Sequence, residues 1–167
     1  MSRYGALEDE RGFTLVEVLI TIVIMGLVFA IASSTWFKVA ESRRVDSATN
    51  QVVADLRLAH SQATNRLVDS SFIIPSASST NYQVGPAGSL ETKTLPGDDQ
   101  GTPKTKIIVA AAAPTTIAFK ADGGAQITPS PPGNIAFTVA ALNCNPPCNP
   151  SHTIQVNTVT SRIQVDL

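Results

Sequence analysis

The stretch "RGFTLVEVLITIVIMG", Arg11–Gly26, decides the fold, because it sets one carboxylate, Glu17, inside a run that is otherwise almost wholly apolar. The run extends from Phe13 to Phe37, 25 residues whose only ionisable side chain is Glu17. As a helix rising about 1.5 Å per residue it spans roughly 37 Å, more than the roughly 30 Å of a bilayer core. A transmembrane helix is therefore expected. An ordinary secretory signal is the competing reading, with Val18–Phe29 as its apolar region and "AIA", Ala30–Ala32, as a small-residue cleavage site. Against it stand the acid near the start of the apolar core, the acidic "EDE" at Glu8–Glu10, and a helical pattern that runs on past the cut.

Beyond Phe37 the chain has no Gly or Pro until Pro75 and carries many charged positions, which continues the helix. Val45, Val52, Leu56, Ala59, Ala63 and Leu67 recur at steps of seven, four, three, four and four, the single-face pattern of a helix packed on a partner. Arg43, Arg44, Asp46, Asp55, Arg57 and Arg66 fall largely off that face and read as solvated.

From Ser71 the signals become short β-rich runs broken by Gly, Pro, Ser and Asn: "SFIIP", "NYQVG", "TKIIVAA", "TIAFKA", "AQIT", "NIAFTVAA", "HTIQVNTV" and "RIQVDL". No stretch of helical length intervenes, so antiparallel strands are expected rather than a parallel βαβ arrangement. The segment from Gly85 to Pro103, rich in Gly, Pro and Thr, reads as a mobile loop. The expected fold is α+β, a long N-terminal helix, transmembrane in its first half, packed on antiparallel sheet.

Composition narrows the chemistry. The formal net charge of −1 favours no strongly acidic or basic partner. Charged residues are only 15% of the chain, and two cysteines and two histidines are thin material for a thiol or metal enzyme. Cys144 and Cys148, which enclose three residues in "CNPPC", are expected to form a disulfide outside the cytosol; a zinc site with His152 as third ligand is the alternative. Asp98 and Asp99 in "GDDQG" suit a turn or, with few further oxygens, calcium. His60 lies beside the apolar stripe with no Ser or Cys at motif spacing, so a packed or surface role is expected. No phosphate loop, nucleophile elbow or zincin motif occurs, and neither enzymatic activity, a cofactor nor a bound metal is expected.

"G-F-T-L-V-E", Gly12–Glu17, resembles the processing motif of type IV pilins and type II secretion pseudopilins. Three further stretches resemble the GspH/FimT-like minor branch of that superfamily: "ADLRLAHSQATNRLV", "IAFKADGGA" and the terminal "TSRIQV". The resemblance implies a pilin-like fold and a structural role in a secretion pseudopilus or type IV pilus. It implies a leader at 1–12, cut between Gly12 and Phe13 by a prepilin peptidase that also methylates the new Phe13 amino group. A transmembrane and filament-core helix would then occupy 13–37, its amphipathic continuation 38–68, and a β-rich head 69–167. The implied setting is the bacterial inner membrane, crossed once, with the head in the periplasm or outside. The implied partners are membrane lipid, the assembly platform of that membrane and other pilins or pseudopilins of the filament.

The cut gives Glu17 a physical purpose, since it creates an α-amino group at Phe13, four residues and about 6 Å of helix away. In a filament core a buried charge needs a partner. The resemblance implies that the Glu17 carboxylate meets the Phe13 amino group of an adjacent subunit and sets axial register. Gly26, Ala30, Ala32, Ser33 and Ser34 would let such helices approach closely. Many pilins carry a Pro in the second half of this segment, which is absent here.

Some FimT-like proteins bind DNA through a basic C-terminal "G-R-x-R". Here only Arg162 matches, with Ser161 and Gln164 at the other motif positions. After Phe37 there are ten Lys or Arg against nine acids, so DNA binding requires that Lys93, Lys104, Lys106 and Arg162 be gathered by the fold.

Overall fold

The computed structural model describes residues 13–97, 100–129, 134–144 and 147–166, with the side chains of Ser34 and Thr35 outside the description. Among the described residues one helix, α1 (Leu15–Arg66), precedes ten strands: β1 (Ser70–Ile74), β2 (Ser78–Ser79), β3 (Asn81–Pro86), β4 (Glu91–Thr94), β5 (Thr105–Val109), β6 (Thr115–Phe119), β7 (Ala125–Thr128), β8 (Ile135–Ala141), β9 (Ser151–Val156) and β10 (Ile163–Asp166). The chain divides into two compact units, with the division between Lys38 and Val39, inside α1.

In the first unit the helix starts at a cap. The Thr14 hydroxyl accepts a hydrogen bond from the Glu17 amide at 3.2 Å, and the Thr14 carbonyl accepts from the Val18 amide at 3.2 Å. One of the orphan amides of the first turn is thereby satisfied. The apolar side chains that follow stay exposed, and the most apolar 18-residue window, none of it buried, has a mean hydropathy of 2.8. By length and composition this segment can cross a membrane.

The second unit takes α1 from Val39 onward together with all the strands. Two antiparallel five-stranded sheets form, ordered β4-β3-β1-β6-β7 and β10-β9-β8-β5-β2. Strands β1, β5 and β6 each alternate buried and half-buried residues, the period of a sheet with one face on a core. That core is shared: Val52, Leu56 and Ala59 of α1, Phe72, Ile117 and Phe119 of the first sheet, and Ile107, Phe137 and Ile154 of the second belong to one buried cluster. Phe72 stacks on Tyr82 with ring centroids 4.8 Å apart and lies 6.4 Å from Phe137, joining the two sheets.

Three expectations are corrected. Leu67 is 75% exposed, because the helix ends at Arg66 and Leu67 turns into the left-handed region at φ 54°. The segment from Gly85 to Pro103 is not one loop: Glu91–Thr94 pairs with β3 in the register Asn81↔Thr94 to Val84↔Glu91, and Leu95 is buried. This return needs Gly85, since a Cβ there would lie 2.3 Å from the Ser89 carbonyl oxygen. Asp55, read as solvated, is buried, and Asp46 is only partly exposed and paired. The strand Ser78–Ser79, two residues paired to β5, carries no apolar signal.

Candidate functional site

Glu17 occupies the third helical position after the Thr14 cap, in the first turn of α1. There the helix dipole favours an anion. Its carboxylate is exposed and has no partner among the described residues, while Phe13 is 83% exposed. Gly12 and the rest of 1–12 lie outside the described residues, so the cleavage point itself is not placed. Hydroxyls within the apolar segment are satisfied by the helix: Thr21 donates to the Val18 carbonyl at 2.8 Å and Ser33 to the Ala30 carbonyl at 3.0 Å. Glu17 is thus the one charge on an exposed apolar helix surface from Phe13 to Phe37.

The second unit locks its part of α1 to the sheets through polar ties that the sequence did not reveal. Asp55 accepts from the Tyr82 hydroxyl at 2.5 Å and pairs with Lys93 at 2.7 Å, while Gln51 donates to the Tyr82 oxygen at 3.0 Å. Burial, and then the neighbouring Asp55, push the Tyr82 phenol well above its ordinary value. A signal for Asp55 existed: Ala48, Val52, Asp55 and Ala59 follow steps of four, three and four, so the acid lies on the core stripe.

A second tie joins Asp46 of α1 to His152 of β9, Oδ1 to Nε2 at 2.5 Å. The pair has the form of a base with its orienting carboxylate. His152 Nδ1 is buried and meets no hydroxyl or thiol among the described residues, and the pair fastens helix to sheet. At the C-terminal end of α1, Lys120 pairs with Asp69 at 2.7 Å and the Ala121 amide donates to the other carboxylate oxygen at 3.2 Å. The Lys120 bond foremost, then that amide, hold the Asp69 carboxyl below its ordinary value. His60 packs edge-on to Phe119 with ring centroids 5.5 Å apart.

Cys144 and Cys148 form a disulfide with Cα atoms 5.4 Å apart. With both sulfurs consumed and His152 turned to Asp46, the zinc alternative has no ligand set. Lys106 is also committed, donating to the Cys144 carbonyl at 2.8 Å. Asp98 and Asp99 lie outside the described residues.

The basic residues weighed for DNA are not gathered. Lys104 and Lys106 flank Thr105, which pairs with Ala141 at the end of β8, whereas Arg162 precedes Ile163, which pairs through Val156 with Ile135 at its start. Six residues of strand at about 3.3 Å each put roughly 20 Å between the two positions. Arg162 is exposed, Lys104 and Lys106 half-buried.

A family model of the prokaryotic N-terminal methylation motif matches residues 9–33, and one of the type II transport protein GspH matches residues 48–160. No curated protein and no solved structure matches the chain. The first match covers the segment that holds Glu17, and the second covers Asp55, Asp69 and strands β1 to β9, in a family whose members are structural proteins. The chain belongs to the GspH family of type II transport proteins and carries the pilin-like methylation motif at its N-terminal end.

Proposed function

We propose that the protein is a minor pseudopilin, a structural subunit that is held in the bacterial inner membrane by Phe13–Phe37 and drawn from it into a secretion pseudopilus or type IV pilus. Prepilin peptidase cuts after Gly12 and methylates Phe13. The apolar helix then exchanges lipid for the helices of neighbouring subunits, guided by the assembly platform, and the head, 69–167, meets other minor subunits.

One observation carries this reading: an exposed, capped, apolar helix with a single unpartnered carboxylate at its start, lying directly under the methylation-motif match. In lipid the carboxylate is tolerated near the helix end, where charge costs less than the roughly 2.5–3.5 kcal/mol it costs at mid-membrane. In a filament, water is excluded and the charge must be compensated. The Phe13 amino group of an adjacent subunit is a cation of the right reach, so pairing sets the axial step between subunits.

The test is the mass of the mature N-terminus in membranes of the producing cell. A chain starting at N-methylated Phe13 is expected. A chain starting at Ser33, released from the membrane, would overturn the proposal in favour of a secreted protein.

A further inference from the structure

The apolar helix has a far end as well as a near one. Phe29, Ala32, Ser33, Trp36 and Phe37 recur at steps of three, one, three and one and line one stripe of α1. The aromatic rings flank the small Ala32 and Ser33, leaving an apolar-lined concavity of about 350 Å³. Trp36 and Phe37 are 73% and 74% exposed. The indole N–H of Trp36 has no acceptor among the described residues, although tryptophan is a donor whose ring is apolar and whose edge is polar. Such a side chain is stable where hydrocarbon meets headgroups, the position of the aromatic belts of membrane proteins.

Its place along the helix fits that boundary. From Glu17 to Trp36 there are nineteen steps, about 29 Å, which matches the roughly 30 Å of hydrocarbon in a bilayer. Between them the hydroxyls of Thr21 and Ser33 each donate to a carbonyl of their own helix, so these two ask nothing of water. Immediately beyond, Lys38 opens the charged series Glu41, Arg43 and Arg44. Lys38 can lay its stem along the apolar surface and keep its ammonium in water.

We infer that Trp36, with Phe37 beside it, binds the phospholipid headgroup–acyl boundary at the distal face of the membrane and fixes the depth of the helix. Glu17 marks the opposite boundary. The inference rests on the anchor reading above but asserts a position that the anchor reading leaves open.

Trp36 is the only tryptophan of the chain, so its fluorescence reports this position alone. The full chain is reconstituted into phosphatidylcholine vesicles whose lipids are brominated either high on the acyl chain or near its end. Flotation of the vesicles reports anchoring independently of Trp36. The expected result is co-flotation, with a larger loss of fluorescence from the shallow bromines than from the deep ones. A Leu27→Trp, Trp36→Phe variant supplies the reference, because Leu27 lies midway between Glu17 and Trp36, and the order should reverse. Flotation with Trp36 quenched mostly by deep bromines, or by neither set, overturns the boundary assignment and leaves the anchor standing. Absence of flotation overturns both.

Discussion

The Glu17 amide donates to the Thr14 hydroxyl at 3.2 Å, yet the Glu17 carboxylate does not return the bond. Threonine followed three residues later by glutamate is the spacing of a reciprocal cap, and only half of it forms here. Glu17 therefore has two candidate roles, a charge for a neighbouring subunit and a local helix cap, which substitutions separate. Glu17→Gln keeps the size and capping capacity but loses the charge; Glu17→Ala loses both. If the charge sets register between subunits, both variants should insert into the membrane normally and both should fall out of the assembled filament. Comparing each variant in membrane and sheared-filament fractions measures this. Wild-type incorporation of Glu17→Gln would falsify the pairing role and leave capping as the reason for the residue.

The Asp55 tie predicts a graded loss of stability. Tyr82→Phe removes one donor and leaves Asp55 with Lys93, so about 1 kcal/mol is expected. Asp55→Ala strands the Tyr82 hydroxyl and the Lys93 ammonium together and should cost more, roughly 1–3 kcal/mol. Denaturant unfolding of the two variants and of their double mutant should give a non-additive cycle, because the groups are in direct contact. Additivity would mean that the hydrogen bond is not made in solution.

The same pair has an alkaline signature. A phenol raised in the folded state contributes stability that is complete below the ordinary value of 10.0 and is lost as pH climbs through the higher folded value. The chain has two tyrosines, Tyr4 and Tyr82, and only Tyr82 remains in a chain beginning at Phe13. Spectrophotometric titration of that chain should show no phenolate near pH 10 while the fold persists, and ionisation only with unfolding. In the Asp55→Asn variant the transition should move down. A normal titration in the folded protein would contradict the buried position of Tyr82.

Asp69 predicts the opposite limb. Its folded value is depressed, so its contribution is present above the ordinary 3.8 and disappears as pH falls through the lower folded value. Asp69→Asn should be less stable than the parent at neutral pH, and the two should converge in acid once both side chains are neutral. Because Asp69 and Lys120 are 41% and 40% exposed, added salt should narrow the difference. A difference that persists unchanged in acid would show that the Asp69 charge is not its source.

These ties also show what could be read in advance. Val45, Val52, Leu56, Ala59 and Ala63 announce their burial because helical spacing and apolarity agree, and all five are fully buried. Leu67 keeps the spacing but lies one residue past the helix, so periodicity alone overshot the end. Asp55 keeps the spacing but contradicts it chemically. Its partners Tyr82 and Lys93 lie 27 and 38 residues further on, and nothing local says they converge. Strand β4, "ETKT", is a polar edge strand whose only warrant is its neighbour β3, so local composition read it as loop. Glu17 stands out in the sequence because a lone charge in an apolar run is itself an anomaly.

The disulfide is expected to matter modestly. Closing so short a loop, with the cysteines four positions apart, removes little unfolded-chain entropy, about 2 kcal/mol by the chain-entropy estimate. The loop is also tethered without it: Lys106 donates to the Cys144 carbonyl at 2.8 Å, and the Ser151 hydroxyl to the Cys148 carbonyl at 2.8 Å. A Cys144→Ser, Cys148→Ser variant should therefore fold and insert normally and lose roughly 2 kcal/mol in denaturant unfolding. Adding Lys106→Met should lower stability further, by about 1 kcal/mol or more, since the carbonyl then loses its charged donor. If the double cysteine variant instead fails to fold, the bridge is holding β8 to β9 across their connection, and the tethers of Lys106 and Ser151 are too weak to replace it.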